Sequence, residues 1–387
     1  MKPLFSIKSG GPASWSIRIA CAIVFVYVLL WIPTSGSNSL VDTATTALTL
    51  MGAALALNLL LGFTGQISLG HSAFFGIGTY TTAIFVTRWG WSPLKTLPVA
   101  FVVAFVVGAV VSLPALRIKG VYLALVTLAL AVVFPQFIKW RKITWLTGGS
   151  RGMTDTGFKF DKNNRTFELF GWNPWGNLRG ENVKPFYYWI AVMIVVIVYL
   201  ICRGLVKSRV GRSLVAIRDN STAAAVMGVN LAVTKGIVFG LSAAMCALPG
   251  CLTAMKGTVT PDTALLTAIG SITFLIVMVV GGAGSLWGPI IGAIVFQFIT
   301  EKTGDWADHK AIPSVVRPLF SWSEVAPAAG IFALTLIALM FVAPLGLAGL
   351  WKRVVVRIVT VVPKPAGSGT VADAETPPMA MPTWQQP

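Results

Sequence analysis

The stretch GFTGQISLGHSAFFGIGTY, residues 62–80, contains five glycines and several polar side chains between long apolar runs. Glycine lets helices approach closely, and it permits a turn at membrane depth where other residues would be strained. A polar group costs free energy in lipid unless it faces protein or water. The stretch therefore predicts either a segment that lines a translocation path or a tight packing hinge whose hydrogen bonds are satisfied internally.

The candidate residues of this region fall into a polar set and a glycine-rich set. The polar candidates for a translocation path are Asn58, Gln66, Ser68, His71 and Ser72. The candidates for close packing or a hinge are Gly62, Gly65, Gly70, Gly76, Gly281, Gly282, Gly284 and Pro289. The last four lie in GGAGSLWGPIIGA, residues 281–293, which interrupts another apolar run and whose GxxG spacing echoes residues 62–65. This echo suggests an internal duplication.

The chain contains two histidines, His71 in this stretch and His309. A metal site needs several ligands, so a structural hydrogen bond is the favoured role and proton relay is the alternative. A phosphate-binding loop is excluded because neither a preceding strand nor a Lys followed by Ser or Thr accompanies these glycines. We therefore expect no metal, no cofactor and no catalytic residue.

The composition around this stretch is that of a membrane protein. The chain has 387 residues, of which 55% are hydrophobic and only 11% charged, and its mean hydropathy is +0.78. Soluble domains carry about 25% charged residues, so most of this surface must face lipid. We predict an all-α polytopic membrane protein with about ten transmembrane or partly re-entrant helices of about 20 residues each. The candidate spans are 17–33, 40–62, 66–86, 96–114, 119–138, 186–202, 234–254, 264–281, 286–300 and 328–348.

The net charge of +17 is distributed as the positive-inside rule expects. The basic residues fall in short gaps between apolar runs, which argues against nucleic-acid binding. One orientation places every short basic loop inside, including the loop with Arg203, Lys207, Arg209, Arg212 and Arg218. We therefore expect both termini to be cytoplasmic. A cleaved signal peptide is the alternative interpretation of the first span.

The predicted organisation has three parts. Residues 1–16 form a cytoplasmic N-terminus, and residues 17–350 form a transmembrane domain. Within that domain, 139–185 is an extracytoplasmic loop and 203–233 is a cytoplasmic loop. Residues 351–387 form a cytoplasmic, largely disordered tail, because from about Pro363 its sequence is dominated by Pro, Gly, Ala and Thr, which cannot build a core.

The second polar constellation is GRSLVAIRDNSTAAAVMGVN, residues 211–230, between two apolar runs. Small or apolar residues recur at three- and four-residue steps, which predicts a short helix with one mildly apolar stripe. The stripe residues are Leu214, Ile217, Ser221, Ala224 and Gly228. Such a helix either presents its small face to a protein partner or lies on anionic lipid as an ordinary basic helix.

Carboxylates are scarce in the apolar runs, and Asp42 near the start of the second span is the clearest candidate. An ion-coupled carrier usually needs carboxylates deep in its bundle, so their scarcity argues for energy supplied from outside the chain. The sequence contains no Walker A motif, so this chain is not expected to bind a nucleotide through that motif.

Five segments resemble the permeases of branched-chain amino-acid ABC transporters, specifically the LivM type. They occur in the family's order and are distributed between residues 58 and 293. The segments are NLLLGFTGQISLGHSAFFGIGTYTTA (58–83), ALRIKGVYLALVTLAL (115–130), TGGSRGMT (147–154), VGRSLVAIRDNSTAAAVMGVN (210–230) and VVGGAGSLWGPIIGA (279–293).

The resemblance implies a heteromeric importer. Its expected partners are a second homologous permease subunit, two cytoplasmic ATPase subunits, an extracytoplasmic substrate-binding protein and membrane lipid, with no nucleic acid. The resemblance also implies that residues 211–230 form the coupling helix that docks on an ATPase. The implied coupling residues are Arg212, Arg218, Asp219, Ala223, Ala224 and Gly228. Thr222 stands where many importers carry an acidic residue, which puts that carboxylate contact in doubt.

The resulting prediction is a permease subunit of an ATP-driven importer for branched-chain or similar hydrophobic amino acids in the bacterial inner membrane. ATP hydrolysis is expected on partner subunits, so the chain itself is not expected to be an enzyme. The alternatives are a permease for urea or short amides in the same family, or an ion-coupled secondary transporter. A membrane-embedded enzyme is disfavoured, because it would need clustered His, Asp, Glu or Cys residues at membrane depth.

Overall fold

The computed structural model describes residues 37–115, 120–158 and 183–308, together with short pieces at 5–8, 27, 30–33, 337, 341, 346–350 and 359–362. The predicted spans 17–33 and 328–348 lie largely outside these residues. So do most of the predicted extracytoplasmic loop and the tail beyond 363.

The described part of the chain is built almost entirely from helices. A Ser37 N-cap opens the first long helix, and Gly65 in the left-handed conformation ends it. The helices are α1 (Asn38–Thr64), α2 (His71–Trp89), α3 (Pro93–Ala115), α4 (Val121–Ile138), α5 (Thr144–Thr147), α6 (Val183–Lys207), α7 (Arg209–Asp219), α8 (Ser221–Val226), α9 (Leu231–Met255), α10 (Ala268–Gly281) and α11 (Gly288–Asp308).

Two short strand pairs accompany these helices. Strand β2 (Met153–Thr154) pairs antiparallel with β3 (Thr258–Val259), directly after α9. In a separate unit, β1 (Phe5–Lys8) pairs in parallel with β4 (Val359–Val362).

Four helices, α1, α3, α6 and α9, are long and apolar enough to cross a membrane, and α4 reaches that length together with the bent segment that follows it. Helix α10 and the Gly288–Glu301 part of α11 are apolar but shorter. Each of the eight predicted spans that falls on described residues coincides with a helix. The all-α polytopic membrane fold is therefore confirmed, while the total of about ten spans stays a prediction.

Helices α1 and α9 form the centre of the bundle and run antiparallel. Gly52 of α1 packs on Pro249 of α9, and Ser242 Oγ donates to the Ala56 carbonyl at 2.6 Å. Glycine and alanine at these contacts let the two backbones approach closely, as is usual between membrane helices.

Helix α2 runs parallel to α9, because Thr79 Oγ1 donates to the Gly250 carbonyl at 2.9 Å and His71 contacts Ser242. It therefore begins level with the middle of α9. This arrangement requires residues 65–70 to fold back into the bundle after α1 ends. The geometry is that of a partly re-entrant segment, one of the two kinds of helix that the sequence predicts.

The periphery of the bundle is apolar. Helix α3 exposes Val102, Val106, Val110 and Leu113 at three- and four-residue steps. This stripe is the outward face expected of a helix that meets lipid or another membrane subunit.

Candidate functional site

The polar residues at the start of α2 form a continuous chain of hydrogen bonds. His71 Nδ1 lies 3.1 Å from Ser68 Oγ, and His71 Nε2 lies 2.9 Å from Ser242 Oγ. The Ser242 proton is already donated to the Ala56 carbonyl, so Ser242 accepts from Nε2–H and Nδ1 accepts from Ser68. This assignment gives a neutral imidazole whose two nitrogens are both satisfied, as a buried polar group requires.

A second pair of hydroxyls ties the same end of α2 to α10. Ser271 Oγ donates to Ser72 Oγ at 2.8 Å, and the Ser72 backbone N–H donates to Ser271 Oγ at 2.9 Å. The loop before α2 is held by α4, since the Leu69 N–H donates to Thr127 Oγ1 at 2.9 Å. Sequence reasoning missed Ser242, Ser271 and Thr127. Their only signal is a lone hydroxyl within an apolar helix.

Two members of the predicted polar set lie apart from this chain of hydrogen bonds. Gln66 is half-buried on the loop between α1 and α2. Asn58 is buried in α1 and holds the turn after α10: its Nδ2 donates to the Ser285 carbonyl, and its Oδ1 accepts from the Gly284 N–H, both at 2.9 Å. The structure thus does not gather the five predicted polar residues into one cluster.

The predicted glycine positions lie at helix contacts or turns. A Cβ on Gly70 would lie 2.6 Å from the Thr127 carbonyl oxygen, and one on Gly76 would overlap the Phe134 ring. A Cβ on Gly62 would meet the Gly284 backbone, and one on Gly281 would meet the Gly288 carbonyl.

The turn between α10 and α11 depends on its glycines and proline. Gly282 and Gly284 have φ values of 113° and 77°, which side chains rarely adopt. Pro289 follows in the first turn of α11, where proline is favoured. Gly65 closes α1 with a φ of 70°.

The predicted coupling segment is not one continuous helix. Asn220 ends α7 and caps α8, its Oδ1 accepting from the Thr222 and Ala223 N–H groups. Helix α8 ends at Val226, and Gly228 follows with a φ of 85°. The expected stripe is therefore interrupted, because a residue in the left-handed conformation cannot continue a helical face.

The side chains of this segment divide into inward and outward groups. Leu214, Ile217 and Ala224 are buried within the chain itself. Arg212, Ala223 and Gly228 are exposed. Two residues that the sequence analysis did not single out, Val226 and Met227, are 83% and 85% exposed.

Arg218 points back to the bundle. Its Nη1 donates to the Gly62 carbonyl at 2.9 Å, and its Nε lies 3.1 Å from Asp219 Oδ1. The contact brings the coupling segment, the end of α1 and the glycine turn together, because Gly284 also packs against Gly62.

The carboxylate predicted for the second span lies at the helix end. Asp42 is half-exposed and pairs with Lys184 at 2.6 Å, near the starts of α1 and α6. Asp42 thus belongs to a surface ion pair and is not a carboxylate deep in the helix bundle. Within the described residues, no group of three His, Cys, Asp or Glu side chains could hold a metal ion.

Comparison with known proteins assigns the family. The profile described as "Branched-chain amino acid transport system / permease component" matches residues 39–349. The chain is 29% identical over 322 residues to the high-affinity branched-chain amino acid transport system permease protein LivM of Escherichia coli K12, covering 80% of this chain and 74% of that protein. LivM of Salmonella typhimurium gives the same identity and coverage.

A more distant relative is the probable branched-chain amino acid transport permease protein LivH of Methanocaldococcus jannaschii. It is 25% identical over 308 residues, which are 77% of this chain and 89% of the relative. No solved structure matches. The family profile covers most of the chain, including every helix of the bundle described above, and the chain therefore belongs to the family of branched-chain amino-acid transport permease components.

Proposed function

We propose that this chain is the permease subunit of an ATP-driven importer for branched-chain or similar hydrophobic amino acids. It forms part of the translocation path in the bacterial inner membrane, with both termini in the cytoplasm. It works with a second homologous permease, two cytoplasmic ATPases and an extracytoplasmic substrate-binding protein. The family match over residues 39–349 supports the transport role.

The observation that carries the ATPase-coupling role is the exposed apolar end of α8. Val226, the last residue of α8, and Met227, directly after it, are both more than four-fifths exposed. Large apolar side chains that are exposed together mark a contact with a protein partner or with a membrane. In the proposed importer, these two side chains fill a groove on the ATPase.

The orientation follows from the same loop. Basic residues concentrate between α6 and α9, which supports a cytoplasmic position for this loop, on the side of the proposed ATPases. Helices α1 and α9 then lead from the cytoplasmic loop to the side where β2 and β3 pair. That outer side is where the binding protein delivers substrate.

The substrate class is tested with the whole complex in proteoliposomes. ATP enclosed with the ATPase subunits should drive uptake of labelled leucine delivered by the binding protein. Unlabelled leucine, isoleucine and valine should compete, whereas urea and acetamide should not. Competition by urea or acetamide alone would favour the amide permease. Uptake that does not depend on ATP and stops when an ionophore dissipates the ion gradient would show a secondary transporter.

A further inference from the structure

One arginine in the cytoplasmic loop contacts the transmembrane bundle. Arg218 lies near the end of α7, yet its Nη1 donates to the carbonyl of Gly62, which is 156 positions earlier in the chain. The Arg218 side chain is 39% exposed, so it is partly buried against the bundle. Asp219 accepts from Nε at 3.1 Å and orients the group.

The acceptor of this hydrogen bond is a helix-end carbonyl. Gly62 lies in the last turn of α1, where carbonyl groups have no further N–H donor in their own helix. A cation at this end of a helix is also favoured by the helix dipole. The geometry therefore explains why an arginine, with its charge and several donors, occupies this position.

The same carbonyl lies beside the glycine turn between α10 and α11. Without a side chain, Gly62 allows Gly284 to pack directly on the α1 backbone. Asn58, one helical turn earlier, binds that turn through the Gly284 N–H and the Ser285 carbonyl. A Cβ on Gly284 would lie 3.3 Å from Arg218 Nη1. One guanidinium thus binds the end of α1 and lies beside the α10–α11 turn.

We propose that Arg218 is a positioning residue that transmits movement of the cytoplasmic loop to the inner ends of α1 and the α10–α11 turn. Arg218 acts through its contact inside the chain, as an internal strut between α7 and α1, and does not itself bind the ATPase. The inference rests on the proposed importer function and assigns a role within it. When the ATPases move α7 and α8, the hydrogen bond to Gly62 pulls the α1 end, and Asn58 carries the glycine turn along.

The test is the ratio of substrate transported to ATP hydrolysed by the complete complex in proteoliposomes. Arg218→Gln should keep its ATPase subunits on purification and hydrolyse ATP within about twofold of the wild type. Transport per ATP should fall about tenfold, the effect expected when one hydrogen bond from a charged group is lost. Arg209→Gln is the matched control, because it removes the same charge from an exposed position of the same helix and should leave the ratio unchanged.

A second variant covers the case in which Arg218→Gln does not fold. Arg218→Lys keeps the charge and a single-point donor, so it should assemble and lie between wild type and Arg218→Gln in transport per ATP. Loss of the ATPases from either variant would make Arg218 a docking contact and overturn the strut. An unchanged ratio in both variants would also overturn it. Failure of the proposed function is a different result, because the wild-type complex would then show no ATP-driven uptake at all.

Discussion

His71 Nε2 lies 2.9 Å from Ser242 Oγ, and this contact joins the start of α2 to the middle of α9. Through Ser242 the link continues to the Ala56 carbonyl of α1, and through Nδ1 it reaches Ser68 in the preceding loop. The imidazole thus connects three helical elements and a fold-back loop. This arrangement favours the structural hydrogen bond over the proton relay, because both ring nitrogens already have partners inside the chain.

Ser242→Ala should destabilise the protein by about 1–3 kcal/mol, because it leaves the buried Nε2–H of His71 without an acceptor. Thermal unfolding of the purified subunit in detergent measures the change. Thr273→Ala is the control: its exposed hydroxyl donates only to the Ile269 carbonyl of its own helix, so its loss should stay within about 0.5 kcal/mol. Equal stability of the two variants would contradict the role of the His71–Ser242 contact.

Gly70→Leu should impair assembly and abolish uptake. The added side chain would start 2.6 Å from the Thr127 carbonyl oxygen, and overpacking of this kind costs about 1–3 kcal/mol. Gly204→Leu offers a matched control, because a Cβ there meets nothing within 4 Å. Size-exclusion profiles and leucine uptake should separate the two variants. Normal uptake by Gly70→Leu would show that the fold-back loop tolerates a side chain.

Met227→Arg should remove the ATPases from the purified complex while the two permeases stay together. Blocking the centre of a docking contact costs about 2 kcal/mol or more, which corresponds to roughly a thirtyfold loss of affinity. A helix that only anchors on anionic lipid would accept the added arginine without loss. Retention of the ATPases with full transport would therefore decide for the lipid anchor.

Ala224 is the wrong position for that experiment, although it belongs to the predicted coupling set. Its side chain is only 4% exposed and packs within the chain itself. Ala224→Arg would place a charge in this buried contact and would report folding of the loop, so its effect on ATPase binding could not be interpreted alone.

Tyr80→Phe should leave stability unchanged or slightly higher. The Tyr80 side chain is buried beside Phe134, and its hydroxyl has no hydrogen-bond partner among the residues that the structure describes. Thr79→Val is the contrasting variant, because it removes a hydroxyl that donates to the Gly250 carbonyl at 2.9 Å and should cost about 1 kcal/mol. Thermal unfolding compares them. A clear loss of stability in Tyr80→Phe would reveal a partner for the hydroxyl.

Cysteine labelling should test the proposed orientation. In a Cys21→Ser background, the other three cysteines are buried, so a single introduced cysteine reports its own position. Ala216→Cys, exposed on α7, should resist an impermeant thiol reagent on intact cells and react in inside-out vesicles stripped of ATPases. Asn163→Cys, which lies outside the described residues, should react on intact cells. The opposite pattern would reverse the topology.

The location and type of the helices could be predicted from the sequence. Long apolar runs, the glycines that interrupt them and the basic loops between them are all local signals. Each of the eight predicted spans that falls on described residues coincides with a helix. The polar residues at 68–72 could also be recognised, since hydroxyls and an imidazole inside an apolar region must find partners.

The partners themselves are decided only by the tertiary structure. His71 bonds a serine 171 positions later, and Asn58 binds a turn 226 positions later. Such pairs depend on how one helix is rotated and how deep it lies against another. Close packing at glycines determines this arrangement, and helical periodicity does not encode it. For the same reason, sequence periodicity grouped Ala224 and Gly228 on one face. The fold buries the first and turns the chain before the second, because the caps at Asn220 and the left-handed Gly228 break the helix that the periodicity assumed.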